Sequence, residues 1–351
     1  MKHTHLVPKR QGSRMATEDK DLTEVQQRTN RQLTLFESIL RKGPYSGMMA
    51  LDALMPKYFY GKATRTEDGH LKSLERVFDF EGQPCKLIVD PARVTETRGK
   101  YKGQRVEFYM GTREENVYDA LLKLAKEGQG KILDDQFGVV FSLNQIIAEL
   151  KNHGHTINYK DLIKSLKILR GTSITFKSPT VEFMESPLLS LGLPNSKNPK
   201  SAYVRFNSLV DGALKNKSLR LYNYQLAMGM GTLARKLLKL ISYDPNGANL
   251  DRPYEFRLVP FLSMSGYAIN QKLKRNVQLL DSAVEELKIA ELVQRWDCEQ
   301  IKEGRKIIDY KYKVWPSEKF RRELVRIQKA QNDGSRWIAI QVAGPPTKVS
   351  E

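Results

Sequence analysis

The order of periodic segments between residues 110 and 186 constrains this chain more than any other feature of it. ENVYDALLKLAKEG places Val117, Leu121, Leu122 and Leu124 on one helical face, Thr112 and Glu115 precede it as a capping box, and Gly128 can end it. FGVVF then predicts a short strand. Ser142 and Gln145 form a second capping box before the helix LNQIIAELKN, and HGHT is a turn. Asn158, with Asp161 three residues on, caps YKDLIKSLKILR, which Gly171 ends. TSITFKS and TVEFME complete the segment as two β-rich stretches. Helix, strand, helix, turn, helix, strand, strand is the order of a winged helix, in which a helix-turn-helix carries a β-hairpin wing.

A similar order recurs between about 223 and 316, without any matching sequence repeat. YQLAMGMGTLARKLLKLIS predicts a helix that Gly229 and Gly231 weaken, PYEFRLVP a strand closed by Pro260, and FLSMSGY a short second helix. NQKLKRNVQLLDSAVEELKIA predicts a long third helix, ELVQRWDCEQ and RKIIDYKYKVW two strands around IKEGR, and SEKFRRELVRIQKAQ a terminal helix. The expected fold class is therefore α+β, with two winged-helix domains. Its expected division is a polar arm over 1–34, a region over 35–222 containing the first winged helix with its core at 110–186, a second winged helix over 223–331, and a tail over 332–351. Within the first region CKLIVD and QRVEFYM predict strands, with the basic TRGKYKGQ as the loop or hairpin tip between them. PLLSLGLPNSKNPK predicts a loop, and SAYVRFNSLV and SLRLYNY predict strands joined by DGALKNK.

Charge narrows the function. The 58 Lys and Arg residues outnumber the 40 Asp and Glu, for a net charge of +18 over 351 residues. An excess of that size attracts a polyanion. No run of 18 apolar residues suggests a membrane span, and the N-terminus lacks the apolar stretch of a secretory signal. Cys85 and Cys298 are the only cysteines, which excludes a disulfide framework or cysteine-rich zinc site and fits a cytoplasmic location, with nucleoid association expected if the polyanion is DNA.

Both third helices pair an apolar face with a basic one. In the first, Leu162, Leu166 and Leu169 face a core, while Lys160, Lys164, Lys167 and Arg170 line another side and Asn158, Tyr159 and Ser165 add polar groups near the start. In the second, Gln271, Lys272, Lys274, Arg275 and Asn276 crowd the N-terminal end, and Val277, Leu280, Val284 and Leu287 form the buried side. That end of a recognition helix meets base edges, where Arg suits guanine and Asn or Gln suits adenine. Lys302, Arg305 and Lys306 at the second wing tip, followed by Lys311 and Lys313, suit phosphate, whereas the first wing offers only Lys177. A solvated lysine face is the bland alternative for each helix. Arg321, Arg322 and Arg326 alternate with Glu318 and Glu323 and suit a solvated face better than a phosphate contact.

No phosphate-binding G-x-x-x-x-G-K-[ST] loop, H-E-x-x-H or paired C-x-x-C occurs, so no catalytic residue, cofactor or metal is expected. His153-Gly154-His155 is the one arrangement to weigh against this, since two histidines on a strand with a nearby tyrosine could nick DNA with a divalent metal. Here glycine separates them inside a predicted turn, which suits a polar turn contacting the DNA backbone better than a metal site.

FSLNQIIAELKNHGHTINYKDLIKSLKILRGTSITF in the first unit resembles the Rep initiators of iteron-type bacterial plasmids, the TrfA- and RepA-like group. RNVQLLDSAVEELKIAELVQRW and the wing end YKYKVWPS extend the resemblance, which covers about residues 110 to 331. It implies a non-enzymatic protein that binds directly repeated double-stranded sites at a plasmid origin, helps open an AT-rich tract, and recruits a host initiator and replicative helicase. It also implies homodimers that repress the protein's own gene, with the first domain serving dimerisation. On this likeness Lys272, Lys274, Arg275 and Asn276 belong to the principal recognition helix, and Lys160, Lys164 and Lys167 form a second DNA contact or are masked in a dimer. Residues 1 to 110 depart from the smallest members, leaving partner recruitment or dimerisation open to them. A winged-helix transcription regulator shares all these elements and would be marked by a palindromic operator rather than direct repeats.

Overall fold

The computed structural model describes residues 45–49, 55–80, 83–194, 201–215, 219–243 and 252–326; the arm over 1–34, the expected start of order near Leu35 and the tail over 332–351 lie outside the described residues. In chain order come β1 (Tyr45–Met49), β2 (Leu74–Phe80), β3 (Gln83–Asp90), β4 (Ala92–Thr95), β5 (Arg105–Phe108), α1 (Thr112–Leu124), β6 (Gly130–Leu133), β7 (Gln136–Phe141), α2 (Leu143–Asn152) and α3 (Tyr159–Gly171). There follow β8 (Ser173–Lys177), β9 (Glu182–Glu185), β10 (Leu188–Gly192), β11 (Ala202–Phe206), α4 (Ser208–Lys215), β12 (Leu219–Asn223), α5 (Tyr224–Met228) and α6 (Thr232–Tyr243). The last elements are β13 (Tyr254–Arg257), α7 (Leu258–Met264), α8 (Leu273–Ile289), β14 (Val293–Glu303) and β15 (Lys306–Pro316). A helix over 318–326 closes the described chain.

The second unit is a winged helix. Helices α6, α7 and α8 pack on a sheet of order β13-β15-β14, so the short strand between the first two helices pairs with the returning strand of the wing. Leu280, Ala283, Val284 and Leu287 recur at helical spacing and form the buried side of α8. The wing reverses between Glu303 and Lys306, where Gly304 takes φ +59 at the first central position of a two-residue turn. Two expectations fail here. The predicted helix from Tyr224 breaks into α5 and α6 at the glycine pair, and the strand PYEFRLVP stops at Arg257. Pro260 instead lies in the first turn of α7, where its missing N–H costs nothing because that turn has no backbone acceptor. The buried Asp309 carboxylate supplies one from β15, accepting the Val259 N–H at 3.0 Å.

The first unit has the expected helices but not the expected sheet. Its helices α1, α2 and α3 bury Val117, Leu121, Ile146, Leu150, Leu162, Leu166 and Leu169 against one another. Both predicted caps of α2 and α3 form: the Ser142 hydroxyl accepts the Gln145 N–H at 3.2 Å, and Asn158 Oδ1 accepts the Asp161 N–H at 2.9 Å. Helix α1 starts one residue earlier than expected, capped at Gly111, whose N–H is taken by the Glu114 carboxylate at 3.0 Å; Glu115 is buried. The strand FGVVF, within β7, does not join the wing. It pairs with β6 and β11 in the sheet β10-β11-β7-β6, while the wing strands β8 and β9 continue the sheet β2-β3-β8-β9. Strand β3 alternates as a half-buried strand does, with Cys85, Leu87 and Val89 buried on one face. CKLIVD therefore does not pair with QRVEFYM; β5 pairs with β4, and TRGKYKGQ is the tip of that hairpin. The loop expected over 187–200 contains β10, with 195–200 outside the described residues, and part of the expected connector DGALKNK is helix α4.

The two units meet through charge. Glu115 and Asp119 lie one turn apart on α1, and Arg235 and Lys239 one turn apart on α6. The Lys239 ammonium donates to Asp119 at 2.7 Å and lies 3.6 Å from Glu115, and all four side chains are buried. Arg235 donates to the Asn116 side chain and to the Ala227 carbonyl, the latter at 2.9 Å. Segment 55–60 straps the same junction. Tyr60 donates its hydroxyl to Glu115 at 2.6 Å, and its N–H bonds the Gly266 carbonyl at 3.2 Å. Gly266 takes φ +85, and a Cβ there would lie 2.2 Å from the Tyr58 carbonyl oxygen, so the strap requires glycine. The HGHT turn docks here too, with the His155 ring 2.8 Å from the Met228 carbonyl and His153 edge-on to Tyr224 at 5.1 Å.

Acid is expected to weaken this junction. Burial holds the His155 imidazole below its ordinary 6.5. Burial pushes the Glu115 carboxyl up, but Lys239 and Arg235 outweigh it and hold the group below 4.5. Both groups bind protons less readily folded than unfolded, so their contribution is complete above those ordinary values and is lost as pH falls through the folded ones. Denaturant midpoints taken stepwise from neutral into acid should fall in two phases; a flat or rising profile contradicts this.

Candidate nucleic-acid interface

The basic residues of the second unit divide into free and committed groups. Gln271, Lys272, Lys274 and Arg275 are exposed around the start of α8, which begins at Leu273 with Lys272 as its N-cap. Gln271 and Lys272 therefore precede the helix rather than belong to its first turn. None of the four side chains makes an ion pair among the described residues. Asn276 differs: it is 2% exposed, its Oδ1 accepts the Asn270 N–H at 2.9 Å, and its Nδ2 donates to the Asn270 carbonyl at 2.8 Å. Both ends of its buried amide are thus engaged in shaping the turn into α8 rather than presented to solvent. One and two turns further on, Gln278, Leu279 and Ser282 are exposed in line with Arg275. Their spacing of three, four and seven residues from Arg275 is the sequence signal for them.

The wing follows the same division. Lys302, Arg305 and Lys306 are exposed at its tip and make no ion pair among the described residues. Lys311 and Lys313 are committed, to Glu255 and Glu299, each at 2.6 Å. The Glu299 carboxyl is held below its usual range by its hydrogen bond from Lys313. Arg322 pairs with Glu318 one turn away at 2.5 Å, as a solvated face does.

In the first unit, Tyr159, Lys160, Lys167 and Arg170 are exposed on α3. Lys164 lies between them but is pinned by the β4–β5 hairpin, donating to Glu96 at 2.5 Å with its ammonium 3.9 Å from the centre of the Phe108 ring. The hydrogen bond from Lys164 holds the Glu96 carboxyl below its usual range. Asn158 is occupied with capping, its Nδ2 donating to Asp161 at 2.6 Å. Ser165 is fully buried and donates to Glu114 at 2.8 Å. Lys177, the only base near the first wing's tip, pairs with Glu182 at 2.7 Å. The histidine turn faces inward: besides its contacts at the junction, His153 lies 3.2 Å from Glu149. Among the described residues no group of three or more His, Cys, Asp or Glu side chains is placed to hold a metal ion. No helix among them is long and apolar enough to cross a membrane.

These elements define a tandem winged-helix protein of the α+β class. No protein-family model matches the chain, and no curated protein does. Among solved structures it is similar to domains 2 and 3 of RctB, with a TM-score of 0.46 and 10% identity, over 74% of this chain and 95% of that one. It is also similar to the Pi initiator protein in complex with iteron DNA, with a TM-score of 0.41 and 12% identity, over 58% of this chain and 91% of that one.

The division into free and committed side chains has a direct test. Asn276→Ala is expected to cost about 1–3 kcal/mol of stability, because it removes the two hydrogen bonds that hold the turn into α8. Lys274→Ala, two residues away, should change it by no more than about 0.5 kcal/mol. Denaturant unfolding of both variants checks this, and equal losses would place Asn276 on the surface.

Proposed function

We propose that this chain is a sequence-specific double-stranded DNA-binding protein that initiates replication at repeated sites in a plasmid origin. The observation that carries the binding role is a pair of exposed basic groups on the second unit. Exposed Gln271, Lys272, Lys274 and Arg275 at the start of α8 and exposed Lys302, Arg305 and Lys306 at the wing tip belong to the same winged helix, free of carboxylate partners among the described residues. A helix start in the major groove and a wing on the backbone are how such a module uses these groups. Gln278 and Leu279 would extend the reading edge, with a glutamine for adenine and an apolar contact for a thymine methyl.

The initiator role rests on the resemblance of 141–176, 275–296 and 310–317 to iteron-type Rep proteins. On that role, binding at direct repeats bends the origin and helps open an adjacent AT-rich tract with no covalent step. Host initiator and replicative helicase are the partners to be recruited, and a homodimer would repress the chain's own gene.

Footprinting on fragments of the DNA that carries this gene tests both halves. Protection of evenly spaced direct repeats supports initiation; a lone palindrome supports a transcription regulator, and uniform coverage that salt abolishes contradicts both. Arg275→Ala should weaken binding to a protected site far more than to unrelated duplex, and equal loss on both removes it from base reading. Lys306→Ala should lower the slope of log affinity against log salt by about one unit, and an unchanged slope removes it from the phosphate contacts.

A further inference from the structure

The first unit carries a second basic projection that its place in a winged helix does not account for. The hairpin β4–β5 exposes Arg93, Arg98, Lys100, Lys102 and Arg105, together with Tyr101 at its tip. Its two carboxylates are used internally. Glu96 takes Lys164, while Glu107 accepts the Leu71 N–H at 2.6 Å and lies 3.0 Å from the His70 ring. The tip is built rather than loose: the Gly103 N–H bonds the Glu96 carbonyl at 2.8 Å, the Glu96 N–H bonds the Gln104 carbonyl at 2.9 Å, and Gly99 and Gly103 hold positive φ.

The hairpin is fastened along α3. Arg98 at the tip pairs with Asp161 in the first turn of α3, Lys164 is clasped mid-helix, and Ala92 at the base lies against Gly171. Asp161 faces Arg113 as well, at 3.6 Å, so it is outnumbered by cations. Burial raises its carboxyl, but hydrogen bonds from Arg98 and Asn158 and the charge of Arg113 hold it below the usual range. Lys160 and Lys167 lie less than a quarter-turn around the helix from Lys164, and so flank the hairpin. Hairpin tip and helix edge thus form one positive surface with exposed Tyr101 and Tyr159 in it. The unit's own wing β8–β9 offers the opposite: Lys177 is neutralised by Glu182, and Val181 and Met184 are exposed.

We propose that the β4–β5 hairpin, rather than the wing β8–β9, is the phosphate-gripping element of the first unit, holding duplex DNA beside Lys160 and Lys167 of α3. This rests on the reading that the chain binds duplex DNA. Its chemistry is a row of exposed cations on a rigid two-stranded support, which positions a backbone and reads no bases.

The test uses the full chain and a mixed-sequence DNA duplex, with affinity measured across a salt series. Lys100→Gln, Lys102→Gln and Arg105→Gln are combined in one variant. Lys131→Gln, Lys151→Gln and Lys177→Gln are combined in another that removes the same net charge elsewhere on the first unit. At about 0.9 per phosphate contact, the hairpin variant should lose between about two and three units of salt slope and bind more than about tenfold more weakly at moderate salt. The control variant should lose less than about one unit. Equal losses in both, or an unchanged slope in the hairpin variant, overturn the proposal. A duplex RNA that competes better than the DNA overturns it too. If the unaltered chain shows no salt-dependent duplex binding, the DNA-binding reading itself falls, and that outcome is distinct from failure of the hairpin alone. Should the hairpin variant melt differently, Lys102→Gln alone is read instead, with an expected loss of about one unit.

Discussion

The Arg235 guanidinium, 1% exposed, is the group on which the arrangement of this molecule most depends. It and Lys239 enter the junction from α6, where they meet Glu115, Asn116 and Asp119 of α1. A buried pair of this kind gains little over a hydrophobic contact, yet losing one partner costs about 3–5 kcal/mol because a charge is left uncompensated. In this alignment of α1 and α6 each of these groups finds a partner. The strap through Tyr60 closes on the same Glu115 and on Gly266, so the segment before the first winged helix is tied to both units.

Strand pairing in the first unit determines which of its basic residues remain free. The strand that should complete the first wing is drawn into the sheet with β10 and β11, and β3 takes its place beside β8. Once the upstream strands lie on α3, Lys164 is clasped by Glu96 and leaves the basic face, while Lys160 and Lys167 stay in solvent. The second unit keeps its own short strand against its own wing, so α8 has no upstream hairpin fastened to it among the described residues. The two units therefore share an order of elements but present different surfaces.

Local sequence determined a good part of this. Helix caps at Ser142 and Asn158, the apolar faces of α3 and α8, and a wing reversal within IKEGR follow from groups within a few positions of one another, so their physics is legible along the chain, although the strand runs on to Glu303 and leaves a tighter turn than expected. The surplus of cations and the basic start of α8 are legible for the same reason. What the tertiary structure alone decided is which partner each group found. Strand pairing joins residues far apart, as Lys86 with Lys177, and no periodicity in either strand names the other. Asn276 belongs to the basic cluster in sequence, but in space it pins Asn270; Lys164 has the spacing of its neighbours, but its ammonium lies on Phe108. A side chain's residue type fixes what chemistry it can offer, and only the fold fixes whether that chemistry is already taken by a neighbour or still faces solvent.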